Sequence, residues 1–334
     1  MMKQQLRVAL IGCGAISGNH VGAILAAGEK LVALCDIKTD AAKALTEKFS
    51  LADAALYTDW REMLQREDPD VVHICTPHYL HAEMCVEALK QNRSVLCEKP
   101  LCISLEQLDA ILAAEKESRG QLGVCLQNRY EPNQITLKEL AEKNGSKGAS
   151  ATVIWRRDAE YYASGDWRGT KAYEGGGVAI NQAIHTLDLL QWVCGMPKSV
   201  VAHAFNDHLK GVIEVEDTVT ALFETSEGTR LSFYATTAGA KDFTPELSVR
   251  LLSGETVLCR NDLFVVGETS AKVTSKEPMI GGKLVWGKGH EALIRDFYDH
   301  VRTGRHFPID GEEGGKSVRM VLGIYRSNGE PVLL

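Results

Sequence analysis

The chain has no Cys-x-x-Cys pair among its nine cysteines, no run of lysine or arginine, and no long apolar stretch. Each absence removes a class of protein. Without paired spacing there is no zinc ribbon and no thioredoxin-like redox motif. The cysteines at 13, 35, 75, 85, 97, 102, 125, 194 and 259, several of them inside apolar runs, read as reduced and mostly buried small hydrophobes. A formal net charge of −7 with no cationic cluster leaves no footprint for a nucleic-acid backbone. The first apolar segment, Val8 to Ile11, is too short for a signal-peptide core or a membrane span and runs straight into a glycine loop. The expectation is therefore a cytoplasmic protein with neither nucleic-acid nor membrane partners.

What is present is ordinary for a globular chain: 334 residues, 45% hydrophobic and 24% charged, enough to bury large cores in two domains. Over residues 1–126 short apolar runs at 6–11, 31–35, 70–76, 94–97 and 122–126 alternate with helical patterns at 18–28, 40–49, 79–91 and 105–119. The runs are rich in Val, Leu and Ile without polar alternation, as strands buried on both faces are. Repeated βα units of this kind make an α/β, Rossmann-type, doubly wound parallel sheet. Over 127–334 the rhythm changes to one helix near 133–143, strands at 150–156, 199–207, 217–225, 229–237, 246–252, 255–260 and 262–266, a helix at 177–194, and closing helices at 290–303 and 311–327. Short links among the last five strands favour antiparallel pairing, so the second domain is expected to be α+β with a large, mostly antiparallel sheet.

Three constellations carry chemistry. Gly12-Cys13-Gly14-Ala15-Ile16-Ser17-Gly18 joins the first strand to its helix. Gly12 permits the tight turn, and Gly14 lets a pyrophosphate approach backbone N–H groups at the helix N-terminus. Asp36 follows the second strand, where a carboxylate accepts hydrogen bonds from ribose hydroxyls and repels a 2′-phosphate. NAD is thus favoured over NADP, with Lys38 two residues on as a cation that opposes the preference. Second, Glu98-Lys99-Pro100 closes the run Ser94 to Cys97. A lysine at the C-terminal end of a parallel strand points into the ligand-binding crevice of such sheets, where its ammonium stabilises developing alkoxide. Glu98 orients that lysine or contacts cofactor.

The third is Gly175-Gly176-Gly177 followed by Asn181, His185 and Asp188. A helix over 177–194 sets these three polar residues on one face beside a stripe of Ile180, Ile184 and Leu187. His185, with an unperturbed pKa of about 6.5, is the main acid/base candidate, and Asn181 positions a hydroxyl or the cofactor amide. Aromatic and arginine residues at Arg129, Tyr130, Trp155, Arg157, Tyr161, Tyr162, Trp167 and Arg168 suit the faces and hydroxyls of a sugar. His78 and His81 are three apart but have no third ligand at metal spacing, so no metal site is expected and both read as helix-surface histidines, His78 near cofactor or substrate.

Together these motifs resemble the Gfo/Idh/MocA family of nicotinamide-dependent oxidoreductases over nearly the whole chain. The resemblance implies an enzyme moving hydride between NAD(P) and a carbinol carbon of a sugar, sugar derivative or inositol, with Lys99 and His185 catalytic. It implies that Thr76, Pro77, His78 and His81 lie beside the cofactor with Gly12, Gly14, Ala15, Ile16, Asp36, Glu98 and Lys99. It also implies a cis Lys99–Pro100 bond, terminal helices near the domain junction, and dimers or tetramers built on the second sheet. Tyr161-Tyr162 with Trp167-Arg168-Gly169 resembles the substrate side of sugar-active members. Where the family often has aspartate four before the histidine, this chain has Asn181. Two alternatives stand beside this reading: a glycoside-cleaving enzyme using transient oxidation, and a nonenzymatic NAD-bound sensor.

Overall fold

The computed structural model describes residues 5–260, 263–267, 269–272 and 288–334. They divide into two compact units. The first comprises the described residues up to 102, then 106–130 and 288–314; the second takes 103–105, the described residues from 131 to 272, and 315–334.

In the first unit, strands β1 (Arg7–Ile11), β2 (Lys30–Cys35), β3 (Ala55–Tyr57), β4 (Val71–Ile74), β5 (Ser94–Cys97) and β6 (Leu122–Val124) form one parallel sheet in the order β3-β2-β1-β4-β5-β6. This is the doubly wound order with its reversal between β1 and β4, the position where open α/β sheets bind ligands. Val71 to Ile74 and Ser94 to Cys97 are buried throughout, as strands covered on both faces must be. Helices α1 (Ser17–Ala26), α2 (Thr39–Phe49), α3 (Trp60–Glu67), α4 (His81–Lys90) and α5 (Leu105–Glu117) cross between them. Sequence periodicity misses β3 and α3. The strand is three residues long, and α3 only eight, with a short stripe of Trp60, Met63 and Leu64; its start is marked by the Asp59 side chain, which accepts from the Arg61 N–H at 2.8 Å.

In the second unit, α6 (Pro132–Asn144), β7 (Ser146–Ile154), α7 (Ala159–Ala163), α8 (Ile184–Cys194), β8 (Ser199–Phe205), β9 (Thr218–Glu224), β10 (Arg230–Thr236), β11 (Glu246–Leu251), β12 (Thr256–Arg260), β13 (Leu263–Val266) and β14 (Thr269–Lys272) follow in order. Residue 262, the expected start of the last predicted strand, lies outside the described residues. The chain then adds α9 (Gly289–Thr303) to the first unit, where Leu293, Ile294, Phe297 and Tyr298 are buried, and returns through α10 (Gly311–Ser327) to β15 (Val332–Leu333) in the second.

The second sheet has nine strands, ordered β14-β13-β12-β11-β7-β10-β9-β8-β15. The short links predict β10 beside β11, and that expectation fails: β7 inserts between them, parallel to β10 and antiparallel to β11. Pairing elsewhere is antiparallel. One face packs on α6, α8 and α10 in a single apolar core that includes Phe223, Phe233, Leu187 and Ile324. On β8 to β10 the alternate residues face away, leaving Val201, Phe205, Leu222 and Tyr234 more than a third exposed. All nine cysteines are free thiols, and all but the half-buried Cys194 are buried. No described helix is long and apolar enough to cross a membrane.

Candidate active site

The loop after β1 is built as its glycines require. Gly12 has φ +92°, and a Cβ there would stand 2.6 Å from the Cys75 carbonyl, so no other residue fits. Around Gly14 a Cβ would meet nothing within 4 Å, and α1 opens at Ser17 without a side-chain cap. An open cradle beside uncapped N–H groups fits an anionic pyrophosphate. At the end of β2, the half-buried Asp36 accepts from the Cys13 N–H at 2.8 Å with one oxygen and from the Lys38 N–H at 2.8 Å with the other. It therefore ties the glycine loop to β2 while keeping lone pairs for a ribose. The residues present fit NAD.

Across the sheet reversal, Thr76 and Pro77 follow β4, and His78 opens a 3-10 turn. Here the sequence reading needs correction: His78 and His81 are buried, not surface histidines. His81 lies between two carbonyls, with Thr76 O at 2.8 Å from Nε2 and Pro100 O at 2.7 Å from Nδ1, and its neutral ring donates to one of them, between the β4 loop and the β5 loop. Burial lowers its pKa against the opposing pull of those carbonyls. The Lys99–Pro100 bond is cis, as the resemblance implies. Lys99 itself is half-buried.

Glu98 turns inward. One carboxylate oxygen meets His20 Nε2 at 2.9 Å and His290 Nε2 at 3.3 Å, while the other accepts from the Lys99 backbone N–H at 3.2 Å. The chain of contacts continues from His20 Nδ1 to His73 Nδ1 at 2.7 Å and from His73 Nε2 to Tyr298 Oη at 2.8 Å. One set of neutral tautomers satisfies every link, with Tyr298 donating to His73, His73 to His20, and His20 to Glu98. Burial lowers the pKa of His20 and of His73, which keeps both rings neutral. Burial alone would raise Glu98; the bonds from His20 and His290 outweigh it and hold that carboxyl well below the usual range. Donor atoms of His20, Glu98 and Cys125 also lie within 4.8 Å of one another, a grouping no sequence spacing announces, and the imidazole–carboxylate bond occupies its centre. Of Glu98's two sequence readings, orienting Lys99 is the one these contacts support.

Two more candidates in this unit hold framework. The buried Arg129 guanidinium pairs with Glu313 at 2.9 Å, and Tyr130 donates to Asp296 at 2.6 Å, with burial and that bond raising the phenol's pKa. Both lock the turn after β6 to α9 and the start of α10, which corrects their reading as substrate contacts.

In the second unit the expected helix 177–194 begins only at Ile184. In the segment ahead of it, the buried Glu216 carboxylate accepts from Gly177 N–H at 2.8 Å, Ala179 N–H at 3.0 Å and Tyr325 O–H at 2.9 Å. Ala183 N–H reaches five residues back to Val178 O, so no regular helical ladder forms across this stretch. Gly177 lies so close that a Cβ would stand 1.9 Å from the Glu216 carbonyl oxygen. Asn181 thus belongs to a turn segment, and only His185 and Asp188 share the helix. His185 is half-buried in the first turn of α8, and Asp188 accepts from Gln191 at 3.1 Å.

The aromatic and arginine candidates of this second unit do assemble, with Tyr162 as the exception. The Arg157 guanidinium lies 4.9 Å from the Trp155 ring and 5.1 Å from Tyr161; that of Arg168 lies 4.6 Å from both Tyr161 and Trp167. This ladder alternates rings and cations. Asp242 anchors Arg157 at 3.0 Å. Tyr162 instead belongs to a small buried cluster with Leu209, Ile213 and Val215, which corrects its reading as a substrate contact. Tyr161 Oη accepts from Arg168 at 2.6 Å and from Gln182 at 3.2 Å, linking the ladder to the residue beside Asn181. Sequence reasoning missed Gln182, Glu216 and Glu174. The last had one signal, a carboxylate directly before three glycines.

A family model described as "Oxidoreductase family, NAD-binding Rossmann fold" matches residues 6–126, and one for the "GFO/IDH/MocA C-terminal domain" matches residues 139–255. Among curated relatives, the D-glucoside 3-dehydrogenase of Escherichia coli K12 is 32% identical over 61% of this chain and 59% of its own. The inositol 2-dehydrogenase of Salmonella typhimurium is 26% identical over 67% of this chain and 65% of its own. The match thus spans less than two thirds of either relative. Over 99% of both chains, the fold superimposes on the WlbA dehydrogenase of Bordetella pertussis, solved with NADH and UDP-GlcNAcA, at TM-score 0.85 and 28% identity. A levoglucosan dehydrogenase with NADH and levoglucosan, 21% identical, shares the fold at TM-score 0.87.

Proposed function

The chain belongs to the Gfo/Idh/MocA oxidoreductase family, and on that premise we propose that it moves hydride between NAD and a hydroxyl-bearing carbon of a sugar, sugar derivative or inositol. The observation that carries this reading is the Lys99 turn. A half-buried lysine closes β5 in a sheet of the dinucleotide-binding order, with its backbone held by Glu98 and the following Pro100 carbonyl beside His81. A surface lysine needs no such support.

Bound NAD supplies the hydride-accepting carbon. Gly12, Gly14, Ala15 and Ile16 with the α1 N-terminus hold its pyrophosphate, and Asp36 its ribose. Thr76 and Pro77 line the approach to the nicotinamide, with His78 and His81 supporting that loop from within. The Lys99 ammonium hydrogen-bonds the reacting hydroxyl and favours its alkoxide character as hydride leaves. His185 takes the hydroxyl proton; its Nδ1 is buried, so Nε2 is the exchanging nitrogen. Asn181 orients the hydroxyl or the cofactor amide. The ladder of Trp155, Arg157, Tyr161, Arg168 and Trp167 supplies ring faces for a pyranose or cyclitol. The relatives named for glucosides and inositol support that substrate class. The test is a panel of sugars and cyclitols with NAD, followed at the reduced-nicotinamide absorbance band. Accumulating NADH is expected. NAD binding with no reduction on any substrate would overturn the reading in favour of a sensor.

Asp36 is expected to make NAD bind more tightly than NADP, and Asp36→Ser to narrow that ratio by about tenfold, a difference near 1.4 kcal/mol. Because Asp36 also holds the Cys13 N–H, the variant should bind NAD itself more weakly. Equal titration affinities in the parent protein would show that Lys38 overrides the carboxylate.

The outward face of the second sheet supports a homodimer or homotetramer. Val201 and Leu222 are directly paired across β8 and β9, and with Phe205 and Tyr234 they make an apolar patch on a face that the described helices do not cover. Light scattering is expected to give a multiple of 36.6 kDa at micromolar concentration, and Leu222→Arg to reduce it. A monomer mass in the parent chain would contradict this.

A further inference from the structure

Glu174 is fully buried immediately ahead of the three glycines. One of its carboxylate oxygens accepts from the Asn181 side-chain amide, the other from the Gly169 backbone N–H. Gly169 directly follows Trp167-Arg168, so this carboxylate ties the segment bearing those two members of the aromatic–guanidinium ladder to the segment bearing Asn181. The tie is doubled on the surface side, where Arg168 and Gln182 both donate to Tyr161 Oη.

An ionised carboxylate accepts hydrogen bonds and donates none. It therefore selects between the two orientations of the Asn181 amide, drawing the NH2 group toward itself and turning the carbonyl Oδ1 the other way. We propose that Glu174 is a positioning residue that fixes position 181 as a hydrogen-bond acceptor, the two side chains forming one unit in which a single carboxylate is allowed. The use of that acceptor, toward a substrate hydroxyl or the cofactor carboxamide, rests on the oxidoreductase reading; the pairing itself does not. The proposal also explains why this chain carries asparagine where the resembling family often has aspartate. A carboxylate at 181 would sit against Glu174, and two carboxylates in buried contact cannot both ionise.

The groups that face Glu174 are Arg168 on its own segment, Glu216 from the segment before β9, Tyr162 from α7 and Tyr325 from α10. Burial is the largest influence and, with Glu216, pushes the Glu174 carboxyl up to about 7 against the bonds from Gly169 and Asn181 and the Arg168 charge. A second carboxylate at 181 would push it further.

The test is a double-mutant cycle on the full chain, read by thermal midpoint between pH 6 and 9 and by kcat. Asn181→Asp is expected to lower the midpoint by several degrees at pH 8 and much less at pH 6, where one carboxyl holds a proton. Glu174→Gln with Asn181→Asp moves the one carboxylate across the pair. The amide introduced at 174 donates to the carboxylate introduced at 181 and still accepts from Gly169, so most of the loss at pH 8 should return. Glu174→Gln alone should keep its midpoint, because the Asn181 amide turns over to meet the new NH2 group. That turnover presents a donor where an acceptor stood. With whichever sugar or cyclitol reduces NAD in the panel, kcat of the single variant should fall at least tenfold, and the double variant should regain most of it. A merely structural Glu174 would not separate kcat from stability in this way. Additive losses in the cycle, or a parent-like pH dependence in Asn181→Asp, would overturn the pairing. A rescued midpoint in a protein that reduces NAD with no substrate would uphold the pairing and remove the oxidoreductase reading instead.

Discussion

His185→Ala is expected to lower turnover by about 10²–10⁴-fold, the usual contribution of a positioned acid/base, while NADH titrates almost as before. Lys99→Ala should be comparably damaging for a different reason. It removes the charge that stabilises alkoxide character, without touching the Glu98 bond to the residue's backbone N–H. Lys99→Arg should rescue little, because a wider, permanently charged fork does not reproduce a compact ammonium. Turnover against pH for each variant, alongside cofactor titration, is the informative set. Near-normal turnover in His185→Ala would sink the assignment and shift the proton to Lys99 or to Tyr161.

The second large effect is on stability. Glu98→Ala removes the acceptor at the end of the Tyr298–His73–His20 chain and leaves buried neutral donors without it, a loss of about 1–3 kcal/mol for each donor. Glu98→Gln should cost less, since it keeps the shape and one acceptor. The pH dependence has a definite sign. Glu98 has a depressed folded pKa, so its stabilisation is present above its ordinary range near 4.5 and is lost as pH falls toward its folded value. Burial depresses His20, His73 and His81 too, so their neutral rings favour the fold above about 6.5, and that contribution also fades on acidification. Glu115 and Glu174 oppose this. Burial raises both to about 7, so each favours the fold most below 4.5 and loses that contribution as pH rises through 7. Urea midpoints should therefore lose acid-side slope below about pH 4.5 in Glu98→Ala, and lose neutral-side slope across pH 5–8 when Glu115 and Glu174 are both replaced by Gln. An unchanged acid limb in Glu98→Ala would show that the hydrogen bonds to its carboxylate add no net stability.

By itself the sequence determined whatever depends on local pattern. Strands buried on both faces carry unbroken apolar runs, so five of the six parallel strands are readable from the apolar pattern, and only the short, partly exposed β3 is not. The glycine loop is legible because a tight turn at Gly12 admits no side chain, and Lys99 is legible because the end of a parallel strand has a fixed direction. Tertiary structure decided what depends on partners distant in sequence. β7 pairs with strands more than eighty residues later and so displaces the β10–β11 contact that link length favoured. Glu216, some forty residues after Gly177, holds the segment ahead of α8 through the N–H groups of Gly177 and Ala179. Arg129 and Tyr130 look like sugar contacts until Glu313 and Asp296 are beside them. The orientation of Asn181 belongs to the same group, for a side-chain amide has no preferred face of its own, and a carboxylate seven residues earlier chooses one only after the turn between them has formed.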